Sequence, residues 1–168
     1  MRQFPTSAAI LLLSFPICAA AHAGAPLDGK TYIIEMSSNQ SASGYASYLV
    51  PPLARAIDRA GLTPKDGPGA DVVFNIVTHS DVGQWVETAS GREWLYTFTV
   101  TVGISPEMYV IPFEGTPQFG VAARLVTPNS DREDELACLV DLAAREAIAR
   151  YRPKGMVQIS GQSCLRKP

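Results

Sequence analysis

The stretch Trp94-Leu95-Tyr96-Thr97-Phe98-Thr99-Val100-Thr101-Val102-Gly103-Ile104 alternates large apolar residues with threonines. Successive side chains of a strand point to opposite faces, so one face (Trp94, Tyr96, Phe98, Val100, Val102, Ile104) belongs to a core and the other (Thr97, Thr99, Thr101) to solvent. Residues 71–79 form a second strand, and Ala89-Ser90-Gly91-Arg92 turns one into the other. This reading sets Trp85 across from Tyr96 and Glu87 across from Trp94. Carried further back, the same register drops Val72, Phe74 and Ile76 onto the threonine face. A single extra residue restores the parity, and Asp81-Val82-Gly83 is the natural bulge, since glycine tolerates the twisted backbone; Ile76 then falls opposite Ile104.

Upstream, Lys30-Thr31-Tyr32-Ile33-Ile34-Glu35-Met36 reads as a first strand. Leu49, Leu53, Ile57 and Ala60 then recur at helical spacing, with Gly61 as the stop. Pro51-Pro52 places the secure start of that helix near Pro51, with residues 45–50 as a separate turn leading in through a kink. Residues 63–69 are a loop. Downstream, residues 108–111 suggest a short edge strand and residues 119–127 a full one. Ser130-Asp131-Arg132-Glu133 has the spacing of a capping box, and the apolar stripe Leu136, Leu139, Val140, Ala143, Ala144, Ala147, Ile148 and Tyr151 defines a second helix. Residues 156–160 are a last strand. The order predicts an α+β two-layer sandwich: a mainly antiparallel sheet of about five strands with both helices on one face.

The N-terminus reads as a secretory signal over residues 1–23. Arg2 precedes an apolar stretch, residues 8–21, that is too short to span a bilayer, and Ala21-His22-Ala23 precedes Gly24 as a cleavage site. Residues 24–168 then form a single domain of about 145 residues, enough for one core. Cys18 leaves with the signal, and Phe15-Pro16-Ile17 before it do not suit a lipoprotein site. Cys138 and Cys164 remain, an even pair in an exported chain, and so a disulfide. Geometry supports the pairing. A strand returning beside the helix at about 3.3 Å per residue draws level with Cys138 near Gly161 or Gln162, leaving Cys164 within reach. The mature chain carries no transmembrane span.

Little in the chain carries chemistry. The mature part holds a single histidine, His79, and no Gly-x-Ser-x-Gly elbow. His79 with the nearby acid Asp81 is the one hydrolase-like pair, so an enzyme is the lesser reading. The acids Asp131, Glu133, Asp134 and Glu135 suit a helix N-terminus better than a calcium loop, and no metal or cofactor is assigned. The Ser-rich residues 37–44 lack the lysine of a phosphate loop and read as a solvated connection. Arg145, Arg150, Arg152 and Lys154, with Arg166 and Lys167, form a basic group toward the chain end, a candidate patch for an anion or acidic partner. Trp85, Trp94 and Tyr96 read as packing. A net charge of -2 gives no global field for nucleic acid.

Asp28-Gly29-Lys30-Thr31-Tyr32, the helix ending Ala60-Gly61-Leu62 and the strand Ala70-Asp71-Val72-Val73-Phe74 together resemble an uncharacterised family of small bacterial envelope domains, often lipoprotein-borne. The resemblance covers about the first third of the mature chain and implies an envelope location and a non-catalytic role; the lipidated cysteine is missing here. The expectation is a periplasmic or secreted binding module whose partner is another envelope component. The alternatives are the His79 enzyme and a soluble carrier of an apolar ligand between helices and sheet.

Overall fold

The computed structural model describes residues 26–36, 46–106, 118–129 and 133–165. The signal segment, the Ser-rich connection, the expected strand at 108–111 and the first three residues of the capping box lie outside them.

Strand β1 (Thr31–Met36) leads to helix α1 (Ala46–Arg59), then to the two-residue β2 (Thr63–Pro64) and to β3 (Val72–Ser80). The long hairpin continues through β4 (Gln84–Thr88) and β5 (Gly91–Pro106) to β6 (Phe119–Thr127), followed by helix α2 (Glu133–Ala149) and β7 (Gly155–Ser160). A short turn of 3-10 helix, Gln162–Cys164, closes the described chain. The sheet runs β2-β1-β3-β5-β6-β7, with β4 paired to β5 beyond the end of β3. It is mixed: β1 lies parallel to both β2 and β3, and β7 parallel to β6, while the β3–β5, β4–β5 and β5–β6 ladders are antiparallel. The α+β sandwich therefore holds, with seven described strands where about five were expected. One addition is β2, inside the loop expected at residues 63–69. Thr63 N–H and Lys65 N–H donate to the Lys30 and Tyr32 carbonyls and draw the loop onto the sheet edge.

Parallel pairs at both ends of the sheet follow from the helices, because a strand that returns parallel needs a crossover and α1 and α2 are those crossovers. One side of each strand feeds the core: Val72, Phe74 and Ile76 from β3, Phe98, Val100, Val102 and Ile104 from β5, and Phe119, Val121, Ala123 and Leu125 from β6. Leu49, Leu53 and Ile57 of α1 and Leu139, Val140 and Ala143 of α2 fill the other half of the same cluster. Full burial of such side chains is worth about 1.5–3 kcal/mol each.

Helix α1 is continuous through Pro51 and Pro52, correcting the expected break. Both prolines sit early in the helix, and Pro52 is buried beside Leu53, so packing offsets the lost second-turn hydrogen bonds. The Tyr32 hydroxyl donates to Asp58 Oδ1 at 2.8 Å and ties the last turn of α1 to the start of β1. Asp71 holds the starts of β1 and β3 together, its Oδ2 accepting from Thr31 N–H at 2.7 Å and from the Thr31 hydroxyl at 2.8 Å. Those bonds, the backbone one foremost, hold its carboxyl below the ordinary carboxylate value.

The disulfide Cys138–Cys164 is present, with Cα atoms 5.6 Å apart. It pins the final turn to the flank of α2. Gly161 makes the approach possible: a Cβ there would lie 2.3 Å from Leu139 Cδ2 and 3.0 Å from the Arg124 carbonyl oxygen.

Candidate functional site

The hairpin register decides what the sheet presents at its upper end. Thr88 pairs with Gly91, Trp85 with Trp94 and Gln84 with Leu95, so the turn is the two-residue Ala89-Ser90. The looser four-residue turn, which put Trp85 opposite Tyr96, is corrected. A two-residue loop matches the twist of a hairpin, and the Thr88 hydroxyl, donating to the Gly91 carbonyl at 2.7 Å, closes it. Glu93 Oε1 accepts from the Ser90 hydroxyl and shares the Thr88 hydroxyl proton with the Gly91 carbonyl, which lowers the carboxyl's pKa, the Ser90 bond most.

The parity switch occurs where the sequence placed it. Ser80 pairs with Phe98 and Gln84 with Leu95, so three residues, Asp81, Val82 and Gly83, stand against two, Tyr96 and Thr97. Gly83 takes φ +81°, a conformation costly for any residue with a Cβ. Ile76 lies opposite Val102 rather than Ile104, because the tighter turn moves the ladder by one pair along the core face.

Asp81 is the clamp of this bulge. Its Oδ1 accepts from Gly83 N–H at 3.0 Å and from Thr97 N–H at 2.8 Å, satisfying amides that the interrupted ladder releases. Its own N–H donates to the Thr97 carbonyl at 3.1 Å. His79, paired with Thr99, is exposed on the strand segment just below. The bulge thus gives one oxygen of the Asp81 carboxylate a backbone task.

Trp94 and Tyr96 continue the even-numbered row of β5 beyond Phe98, the last of its residues in the buried cluster. Strand β6 ends at Thr127 opposite Tyr96, and Pro128, which lacks the N–H needed to extend the ladder, follows it. Residues 91–95 of β5 therefore project with β4 as their only described neighbour. On this projecting face Trp85 and Trp94 meet edge to face with centroids 5.4 Å apart, and Trp94 meets Tyr96 in the same manner at 6.5 Å. The Trp94 indole rests over Gly83, where a Cβ would come within 2.4 Å of Nε1. The next pair outward is Glu87 and Arg92, whose charges stand 3.9 Å apart, with the Arg92 guanidinium 5.3 Å from the Trp85 ring centre. Trp85 keeps 55 % of its surface exposed, Trp94 38 % and the neighbouring Val82 90 %. These aromatics, expected as packing, pack on one another and stand outside the buried cluster that the helices share with the sheet.

Of the basic group near the chain end, Arg166 and Lys167 lie outside the described residues, and Arg145, Arg150 and Arg152 are engaged. Arg145 Nε meets Asp141 Oδ2 at 2.9 Å and Arg150 Nη2 meets Glu146 Oε2 at 2.6 Å, both one helical turn apart, while Arg152 lies over the Phe119 ring at 5.7 Å. Arg59 of α1 also pairs with Asp141, linking the two helices. Lys154 is exposed. No described helix is long and apolar enough to cross a membrane.

Comparison with known proteins adds little beyond this geometry. No family model matches the chain, and no curated protein matches it. Among solved structures, a PDZ domain protein from Parabacteroides distasonis is similar over 75 % of this chain at 10 % identity and a TM-score of 0.45. This chain spans 33 % of that protein's length. A minor lipoprotein from Acinetobacter baumannii is similar over 71 % of this chain and 86 % of its own, at 14 % identity and a TM-score of 0.41. Neither likeness bears on function.

Proposed function

We propose that this chain is a non-catalytic binding module of the bacterial cell envelope, periplasmic or secreted, and that it grips another envelope protein through the aromatic face of the β4–β5 hairpin. Residues 1–23 are its signal peptide and residues 24–168 the working domain. One observation carries the reading: Trp85, Trp94 and Tyr96 form an edge-to-face row that is locked in place and left partly exposed. Large aromatics held in one conformation lose little entropy on binding and bury much area, which is why they anchor interfaces. The flanking Glu87 and Arg92 cancel in charge and favour a partner surface that is apolar at its centre. The Cys138–Cys164 bridge agrees with an oxidising compartment.

A hydrolase built on His79 and Asp81 needs the Asp81 carboxylate for the imidazole, whereas its Oδ1 holds the amides of Gly83 and Thr97. For an apolar carrier, the layer between helices and sheet is the required space, and Leu49, Leu53, Ile57, Phe74 and Leu139 occupy it. The test compares wild type with Trp85→Ser/Trp94→Ser as bait in envelope extract. The double variant keeps its far-UV circular dichroism and a cooperative unfolding transition, with the midpoint lowered by several degrees for the lost ring contacts, and loses the captured protein; equal recovery by both baits rejects the reading.

A further inference from the structure

The edges of the sheet are not treated alike. Its β2 edge is two residues long and ends in Pro64 followed by Lys65, and β4 is a short strand carrying Glu87, both ordinary defences against unwanted strand pairing. The other edge, β7, is Gly155-Met156-Val157-Gln158-Ile159-Ser160, with no charge and no proline. Among the described residues it pairs with β6 alone.

The direction of its backbone groups follows from two hydrogen bonds. Gly155 N–H donates to the Gln118 carbonyl and Gly161 N–H to the Arg124 carbonyl. The strand alternates with a period of two, so residues 155, 157, 159 and 161 turn their polar groups toward β6, while Met156, Gln158 and Ser160 turn theirs outward. That outward set is symmetric about Gln158.

We propose that the chain forms a two-fold dimer by antiparallel pairing of β7 with β7 of a second copy, the axis passing through Gln158. In this register Gln158 faces its own counterpart and Met156 faces Ser160 of the partner subunit. The three outward N–H groups and three outward C=O groups of each copy then meet as six hydrogen bonds across the axis. The side chains agree with the backbone. Val157 and Ile159, half-buried at the margin of the core, stand opposite each other across the dimer, a β-branched pair that extends the core into the second copy. On the open face Met156, Gln158 and Ser160 are uncharged, so no like charges meet, and Gly155 faces the partner's Gly161, leaving both ends of the ladder without bulk. Lys154 of each copy lies at opposite ends of the pair. A contact that matches itself on backbone, core face and open face selects a second copy over a foreign strand.

Sedimentation of the chain purified from an oxidising compartment tests this, over a hundred-fold range of concentration. Wild type sediments as a dimer that dissociates on dilution. Gln158→Pro removes one outward N–H and no bond to β6, so it becomes monomeric with the disulfide and the far-UV circular dichroism retained. Gln158→Lys sets two ammonium groups against each other at the axis and raises the dimer dissociation constant at least ten-fold, an effect that added salt reverses in part. A wild type that is monomeric throughout the range overturns the proposal. A dimer that Gln158→Lys leaves undiminished overturns it equally, whether or not the proline variant folds.

Discussion

Replacing Gly83 with alanine strikes the one point where the bulge and the aromatic row depend on the same missing Cβ. Two costs add. Alanine at φ +81° is disfavoured by about 1 kcal/mol against glycine. The new Cβ also lies 2.4 Å from Trp94 Nε1, 2.9 Å from Cε2 and 3.0 Å from Tyr96 Cδ1, so the indole must leave its place. When it does, its edge-to-face contacts with Trp85 and Tyr96 are lost, each worth about 0.5–1.5 kcal/mol. The sum is about 2–4 kcal/mol. Gly67 supplies the control, since it has φ +77° with nothing within 4 Å of a built Cβ; alanine there incurs only the conformational cost of about 1 kcal/mol. In a domain of this size 1 kcal/mol moves the midpoint by about 3 °C, so thermal melts should separate the variants by several degrees. Near-UV circular dichroism follows the tryptophans directly and should change for Gly83→Ala alone. Adding Trp94→Ser to both backgrounds removes the two closest contacts, leaving the one to Tyr96, and should bring the two glycine variants most of the way to equal cost. If Gly83→Ala and Gly67→Ala already cost the same in the otherwise native chain, with the tryptophan signal unchanged, the account of the bulge as the seat of the indole is wrong.

Two further outcomes follow from the fold. The Cys138–Cys164 bridge closes a loop with a sequence separation of 26, for which the chain-entropy model gives roughly 3 to 4 kcal/mol. Urea unfolding with and without reductant should differ by about that amount, and alkylation before reduction should leave the intact mass unchanged. At high pH, Tyr32 is the group to watch: burial first, then its hydrogen bond to Asp58 and that carboxylate's charge, push the phenol from 10.0 to about 12. The folded state favours the neutral form, so the contribution is complete below pH 10 and is lost as pH rises through 12. The loss is on the order of 2 kcal/mol. Tyr32→Phe removes that slope; unfolding midpoints of the two proteins that fall in parallel from pH 10 to 12 would refute the assignment.

A good part of this architecture was legible in the chain. Alternation through residues 94–104 identified the central strand and its two faces. The conflict between that row and Val72, Phe74 and Ile76 required a parity switch, and glycine at 83 marked its place. The stripe of α2 and the rise per residue of helix and strand were enough to pair Cys138 with Cys164. Other features left no local trace. Pro51-Pro52 argued for a break that burial of Pro52 and Leu53 overrides. The tighter turn at Ala89-Ser90 differs from the expected one by one step along a face, which the pattern of apolar residues does not distinguish. Asp81 reads in the chain only as the acid near His79, and the amides of Gly83 and Thr97 that its Oδ1 accepts from left no local trace.

Sequence by itself determined the strand and helix periods, the side of each element that faces the core, the bulge and the disulfide, because each depends on residues near in the chain or on simple distances along it. Tertiary structure alone decided which part of each face is covered. Phe98 and Trp94 stand on the same row of the same strand, yet Phe98 is buried in the cluster shared with the helices and Trp94 is open, beyond the point where the β6 ladder ends. The same holds for β7: its composition says strand, but only the sheet order makes it an edge with Met156, Gln158 and Ser160 turned outward. Periodicity records which way a side chain points. What lies over it is set by elements far away in the chain.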